Sequence, residues 1–240
     1  MRALTSSAAS TRASSVFHRA RTSRVSKALT RGDDLSPSHV RKQYDGNGQP
    51  GDTVMAKLIY SMMASLDGYV NDRQGRFDWG QAQDVDYLVH SNEQAKQIGT
   101  EIYGRQMYEL MVYWESQDPQ GDDPDNEFAR LWQAKDKLVV SKSLREVRSK
   151  RTQFIPELDA AALKQLKLSA EKDLCIAGPT LASSFLAQGL VDEVAITYAP
   201  VAVGGGTPLF KNLPSDIRFQ LLEQRTYRSG AVFVRYRVNA

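Results

Sequence analysis

The stretch from Leu174 to Phe210, LCIAGPTLASSFLAQGLVDEVAITYAPVAVGGGTPLF, constrains this chain more than any other. Leu174–Ala177 is a short apolar run of buried-strand type. Gly178-Pro179-Thr180 breaks it. From Leu181 to Gln188 the spacing is helical, with Leu181, Phe185 and Leu186 able to share a face. Gly189 can adopt the left-handed conformation that ends a helix. Val191–Tyr198 returns as a strand, and Gly204-Gly205-Gly206 follows, where bare backbone can approach a neighbour closely. A strand feeding a glycine turn at a helix start is a place where main-chain N–H groups meet an anion. The stretch reads as the phosphate-holding half of a nucleotide site.

The other segments give the same alternation. Strands are expected at Lys57–Ala64, Glu101–Tyr103, Asp136–Val140, Thr152–Ile155, Ile217–Leu222 and Ala231–Val238. Helices are expected after Asp84 (an N-cap, with Val85, Leu88 and Val89 on one side), from Gly104 to about Trp114, over Glu127–Ala134, and over Asp159–Ala170 with Leu163 and Leu166 inward. Strands alternating with helices predict an α/β fold. Its central sheet is mostly parallel, with helices on both faces and a C-terminal antiparallel hairpin. Three polar turns follow strands, at Gly104-Arg105-Gln106-Met107, Ser141-Lys142-Ser143 and Ala177-Gly178. In open α/β sheets ligands bind beyond the carboxyl ends of strands.

Charge divides the chain in two. Residues 1–54 hold nine Lys/Arg and four Asp/Glu; the remaining 186 hold 22 basic and 24 acidic groups. The basic excess belongs to the N-terminal extension, so the domain offers no electrostatic case for nucleic acid. Residues 1–32 are Arg- and Ser-rich with no acid, a composition expected to be disordered. Three readings stand for the extension: an organelle transit peptide, a nucleic-acid or membrane arm, or an upstream extension without a role. The last is preferred, because Met55-Ala56-Lys57-Leu58 opens directly into the first strand, and it makes the protein cytoplasmic. The domain then spans residues 55–240. No apolar run approaches the roughly 20 residues that span a bilayer. Cys175 is the only cysteine and His90 the only histidine beyond residue 54, so no zinc site is expected. Cys175 reads as a small buried strand residue.

Five segments, in this order and spacing, carry a resemblance: SLDGY (65–69), YGRQMYE (103–109), VVSKS (139–143), IAGPTLASSFLAQGLVDEV (176–194) and PVAVGGGTPLF (200–210). From Met55 to about Val238 the chain resembles the reductase domain of the bacterial riboflavin-biosynthesis deaminase–reductase, within the dihydrofolate reductase-like superfamily. The resemblance implies an NADPH-dependent reductase acting on a small-molecule substrate, a 5-amino-6-(5-phosphoribosylamino)uracil-like or pterin-like heterocycle. It implies contact of Gly104, Arg105, Gln106 and Met107 with cofactor phosphates. Ser141, Lys142 and Ser143 would take the adenosine 2′-phosphate, and Ala177, Gly178, Pro179, Thr180 and Leu181 would form the second glycine turn. A homodimer is expected, as family relatives often form one. The N-terminal part lacks the His and Cys residues of a zinc deaminase domain, so a stand-alone reductase is expected. Asp67 and Glu193 are the candidate catalytic carboxylates, since a hydride transfer needs a proton managed nearby. By default Asp67-Gly68 is a turn dipeptide, and Asp192-Glu193 a solvated strand start. Ala177, Pro179 and Met107 depart from the family's pattern. They support an alternative, an NADPH-binding module of this fold without turnover.

Overall fold

The computed structural model describes residues 42–44, 50–53, 55–80 and 84–239. The Arg/Ser-rich segment 1–32, with the readings made for it, lies outside them. Two short strands, Lys42–Tyr44 and Pro50–Thr53, pair antiparallel ahead of the domain.

The domain's strands are β1 (Leu58–Ser65), β2 (Tyr69–Asn71), β3 (Ile98–Gly104), β4 (Asp136–Val140), β5 (Thr152–Ile155), β6 (Asp173–Ala177), β7 (Glu193–Ala199), β8 (Thr207–Pro208), β9 (Phe219–Thr226) and β10 (Val232–Val238). Eight form one sheet in the order β9-β10-β7-β1-β6-β3-β4-β5. The six strands from β7 to β5 run parallel. The pairs β7–β10 and β10–β9 are antiparallel, which makes the C-terminal hairpin. The small β2–β8 ribbon stands apart.

The central strands are buried on both faces, as parallel strands must be once crossover helices cover them. On one face Leu58, Tyr60, Ile102, Leu138, Leu174 and Ile176 pack under the helices α4 (Ala160–Ser169) and α5 (Pro179–Ala187), through Leu163, Leu166, Phe185 and Leu186. On the other face lie α1 (Val85–Lys96), α2 (Arg105–Met111) and α3 (Pro124–Ala134). There Tyr103, Tyr108, Val139 and Ala177 form an apolar cluster with Met107 and Met111. A 3₁₀ turn, Val112–Ser116, prolongs α2.

Asp84, Asp123 and Asp159 cap α1, α3 and α4, each accepting a main-chain N–H of the first turn. One side-chain expectation is corrected. Val85 and Val89 of α1 face outward, 62% and 42% exposed, and His90, Asn92 and Ala95 are the buried residues. The polar pair is buried because each finds partners. The His90 imidazole meets the Tyr227 hydroxyl, and Asn92 Nδ2 donates to Pro124 O at 2.8 Å.

Candidate active site

All six parallel strands end on one edge of the sheet. Because β4, β3, β6 and β1 are neighbours, their following turns stand side by side at the roughly 4.8 Å spacing of paired strands. The three predicted turns are brought together in this way.

Gly104 caps α2 and Gly178 caps α5, and neither offers a side chain to the helix start. Main-chain N–H groups in the first turn of a helix have no intrahelical acceptor. Gly178 has φ +101°, a region that favours glycine. A Cβ there would lie 3.4 Å from Met107 Cβ, so Met107 joins the two turns by contact. Ala177 is the last residue of β6, paired with Tyr103, and its side chain packs into the apolar cluster. The bare position that this turn needs is 178, and position 177 accepts a methyl group. Arg105 is half exposed, with its Nη1 3.9 Å from Glu109 Oε1. Thr180 Oγ1 accepts from Lys211 Nζ at 3.3 Å. Leu181 packs partly against the core. In the β4 turn, Ser141 Oγ accepts from the N–H groups of Ser143 and Leu144 at 3.1 and 3.0 Å. That serine holds the turn in shape, and Lys142 projects outward, 3.7 Å from the equally exposed Glu157.

Asp67 lies on the same edge, after β1. Its Oδ1 accepts from Ser65 Oγ (2.7 Å) and Val203 N (3.0 Å), and its Oδ2 from Gly204 N (2.8 Å). The Ser65 hydroxyl first, and then these main-chain donors, hold its carboxyl below the usual range. Asp67 therefore ties the glycine loop down onto β1.

The glycines of that loop approach protein. Gly205 lies under the Arg73 guanidinium, where a Cβ would come within 2.6 Å of Nε. At Gly206 a Cβ would fall 1.9 Å from the main-chain oxygen of Asn71. Between the glycine loop and the loop of residues 72–79, which follows β2, opens a cleft of about 510 Å³, lined by Asp72, Arg73, Gln74, Arg76, Trp79, Val203 and Gly204. From sequence, residues 71–76 are no more than a polar loop, and Phe77 and Trp79 are expected to pack rather than line a pocket. An Arg-x-x-Arg pair ahead of a tryptophan, just beyond a predicted strand end, was the signal available.

Glu193 is not brought to this edge. It is the first residue of β7, paired with Ile59, while Ser65 pairs with Ala199 at the other end. Six residues of strand separate the two ends, about 20 Å. The Glu193 carboxylate is buried between Lys57 Nζ and Arg235 Nε, each at 2.6 Å. Burial alone would raise its pKa; the two cations more than offset that and lower it. The ionised form is thus favoured by folding. Its contribution is complete above the ordinary carboxylate range and is lost as pH falls through the lowered value. Acid titration of stability should show this directly. Below about pH 4 the wild type should lose stability that a Glu193→Gln variant no longer has to lose. Parallel acid profiles for the two proteins would contradict the assignment.

Among the described residues no group of three or more His, Cys, Asp or Glu is placed to hold a metal ion, and no helix is long and apolar enough to cross a membrane.

A family model for the RibD C-terminal domain matches residues 56–233. The chain belongs to the RibD C-terminal domain family. The uncharacterized protein YyaP of Bacillus subtilis is 31% identical over 187 residues, covering 76% of this chain and 95% of that one. Among solved structures, a putative riboflavin biosynthesis protein from Shewanella sp. PV-4 superposes with a TM-score of 0.62 at 22% identity, covering 77% of this chain and 99% of that one. Dihydrofolate reductase from Enterococcus faecalis, complexed with NADP(H) and RAB-propyl, gives a TM-score of 0.52 at 12% identity over 77% of this chain and 97% of that one. The fold is dihydrofolate reductase-like. For this RibD-type domain, family and fold support a function of reductase type.

Proposed function

We propose that the protein is an NADPH-dependent reductase that delivers a hydride to a C=N or C=O bond of a small heterocycle, aminopyrimidine or pterin in type. One observation carries the reading: three ligand-ready turns stand on adjacent strands at a single sheet edge. Two open helices through uncapped glycine, and the third presents Lys142. The donor set suits a dinucleotide carrying an extra phosphate. Main-chain N–H groups at Gly104–Met107 and at Gly178, Thr180 and Leu181 (Pro179 has none), with Arg105, meet a diphosphate. Lys142, beside the hydroxyls of Ser141 and Ser143, meets a further phosphate, the means of preferring NADPH to NADH. When bound, the nicotinamide supplies the hydride.

The chain's own residues bind and orient. Asp67 is a positioning residue, holding the glycine loop that walls the cleft. Neither Asp67 nor Asp72 has an idle oxygen to carry a proton, so the reading assigns the proton to solvent at the open cleft. Glu193 takes no part, being at the far edge. The engagement of both Asp67 oxygens, which favours the ionised form, supports the second reading, a cofactor-binding module without turnover.

Titration with NADPH, followed by tryptophan fluorescence, tests the binding. Arg105→Ala is expected to weaken NADPH by ~1–3 kcal/mol, and Lys142→Ala to narrow the NADPH/NADH preference. An unchanged dissociation constant removes Arg105 from the site, and an unchanged preference removes Lys142. NADPH oxidation over a panel of pterins, aminopyrimidines and dihydrofolate then separates reductase from module.

A further inference from the structure

Helix α2 touches both of the other turns at the sheet edge. Met107, in its first turn, stands 3.4 Å from where a Cβ on Gly178 would be. Tyr108, the next residue and fully buried, reaches the loop between β4 and β5, residues 141–151. Leu144 of that loop packs against the same apolar cluster as Met107. Beyond Leu144 the loop is held by hydroxyls. Tyr108 Oη accepts the main-chain N–H of Arg148 at 2.7 Å and lies 3.0 Å from Ser149 Oγ. Ser149 Oγ lies 2.6 Å from Thr152 Oγ1, which donates to Lys150 O at 3.0 Å. Each hydroxyl has one proton to donate. Thr152 gives its proton to Lys150 O, so Ser149 must donate to Thr152, and Tyr108 must donate to Ser149. The chain therefore runs in one direction, from the Arg148 N–H through Tyr108, Ser149 and Thr152 to a carbonyl of the loop itself. Hydrogen bonds in such a chain polarise and strengthen one another. At the far end of α2, Glu115 Oε1 accepts Lys150 N at 3.1 Å.

We infer that Tyr108 is a positioning residue for nucleotide preference: its hydroxyl fixes the distance between the turn that opens α2 and the Ser141-Lys142-Ser143 turn. Arg105 and Tyr108 are three residues apart, about 4.5 Å along one rigid helix. The sheet holds the β4 turn as far as Ser141, whose N–H donates to Ile155 O at 2.8 Å. Lys142 lies beyond that tie, exposed, and Tyr108 catches the chain again at Arg148. Two grips on one extended ligand bind well together only when they are held in advance at the ligand's own spacing. Tyr108 thus acts through Lys142. This role rests on the NADPH reading.

Dissociation constants for NADPH and NADH, followed by tryptophan fluorescence, test it in the wild type, Tyr108→Phe, Lys142→Ala and the double variant. Tyr108→Phe removes one oxygen and keeps the ring. It should weaken NADPH roughly tenfold and NADH about twofold or less. In the Lys142→Ala background the same change should leave the NADPH/NADH ratio unaltered, because the side chain it acts through is gone. Amide exchange gives a measurement without nucleotide. In Tyr108→Phe the N–H of Arg148, and with it those of Ser143 and Leu144, should exchange faster. If Tyr108→Phe fails to fold, Ser149→Ala breaks the same chain one link on, at a half-buried hydroxyl, and should act in the same way. Equal weakening of both nucleotides, or a change in the ratio that adds to that of Lys142→Ala, assigns Tyr108 to general stability and overturns the positioning role alone. Unchanged exchange at Ser143 and Leu144 overturns it too. A wild type that binds neither nucleotide overturns the reductase reading and this role together.

Discussion

Alanine at position 206 is expected to destabilise the protein by roughly 3–5 kcal/mol, because two costs add there. Gly206 has φ +141°, which a residue with a Cβ rarely adopts. The new Cβ would also stand 1.9 Å from Asn71 O, a main-chain atom of the β2–β8 ribbon that has nowhere cheap to go. Gly68→Ala is the matched control. Its φ of +84° carries the strain, but nothing lies within 4 Å of its Cβ, so about 1–2 kcal/mol is expected. Urea midpoints for the two variants decide the matter. Equal losses would mean that the close approach at 206 is relieved by a shift of the loop.

Trp132→Ala should cost a similar ~3–5 kcal/mol. The ring is fully buried on the α3 side of the sheet. Its Nε1 lies 3.1 Å from the Tyr103 hydroxyl, and the Lys137 ammonium sits 4.1 Å above its face. Lys137 is itself fully buried, donating to the carbonyls of Trp132 and Lys135 at the end of α3. Burial pushes its pKa down to about 8, against the pull of Glu115. Removing the indole takes away packing, an aromatic face for a cation and a partner for Tyr103 at once. Trp132→Phe keeps most of the packing and should lose only about 1–2 kcal/mol. If both substitutions cost the same, the polar contacts rather than the ring volume hold this region.

The fold was legible because its signals are local. Aspartates at 84 and 159 stand where helices were expected to begin, and β4 lies between Lys135 and Ser141-Lys142-Ser143; α3 starts at Pro124 behind its Asp123 cap, three residues ahead of the expected Glu127. The α1 face was misjudged for a physical reason. His90 and Asn92 are buried through partners 137 and 32 residues away, and spacing along a helix carries no trace of them. The turns after β3, β4 and β6 were readable as strand ends. That they stand side by side depends on β6 inserting between β1 and β3, a matter of sheet order. Glu193 was a candidate as a strand-start carboxylate within the matching segment 176–194, suited to managing a proton. Which end of its strand faces the cleft is decided by the direction of β7, and Glu193 begins that strand, six residues before Ala199 at the cleft edge.

Three sets of ion pairs share one end of the sheet. Lys57–Glu193–Arg235, Lys167–Asp192 and Arg151–Asp136 all gather where the parallel strands begin, and Lys57 N is fastened there to Asp173 as well. The opposite rim, where the strands finish, is built from turns, glycines and outward-pointing Arg and Lys. Endurance and selectivity are therefore written on different ends of the same sheet. A lineage, or an engineer, can rewrite the loop of Arg73 and Arg76 to suit another small molecule while the charges that keep the strands together stay untouched.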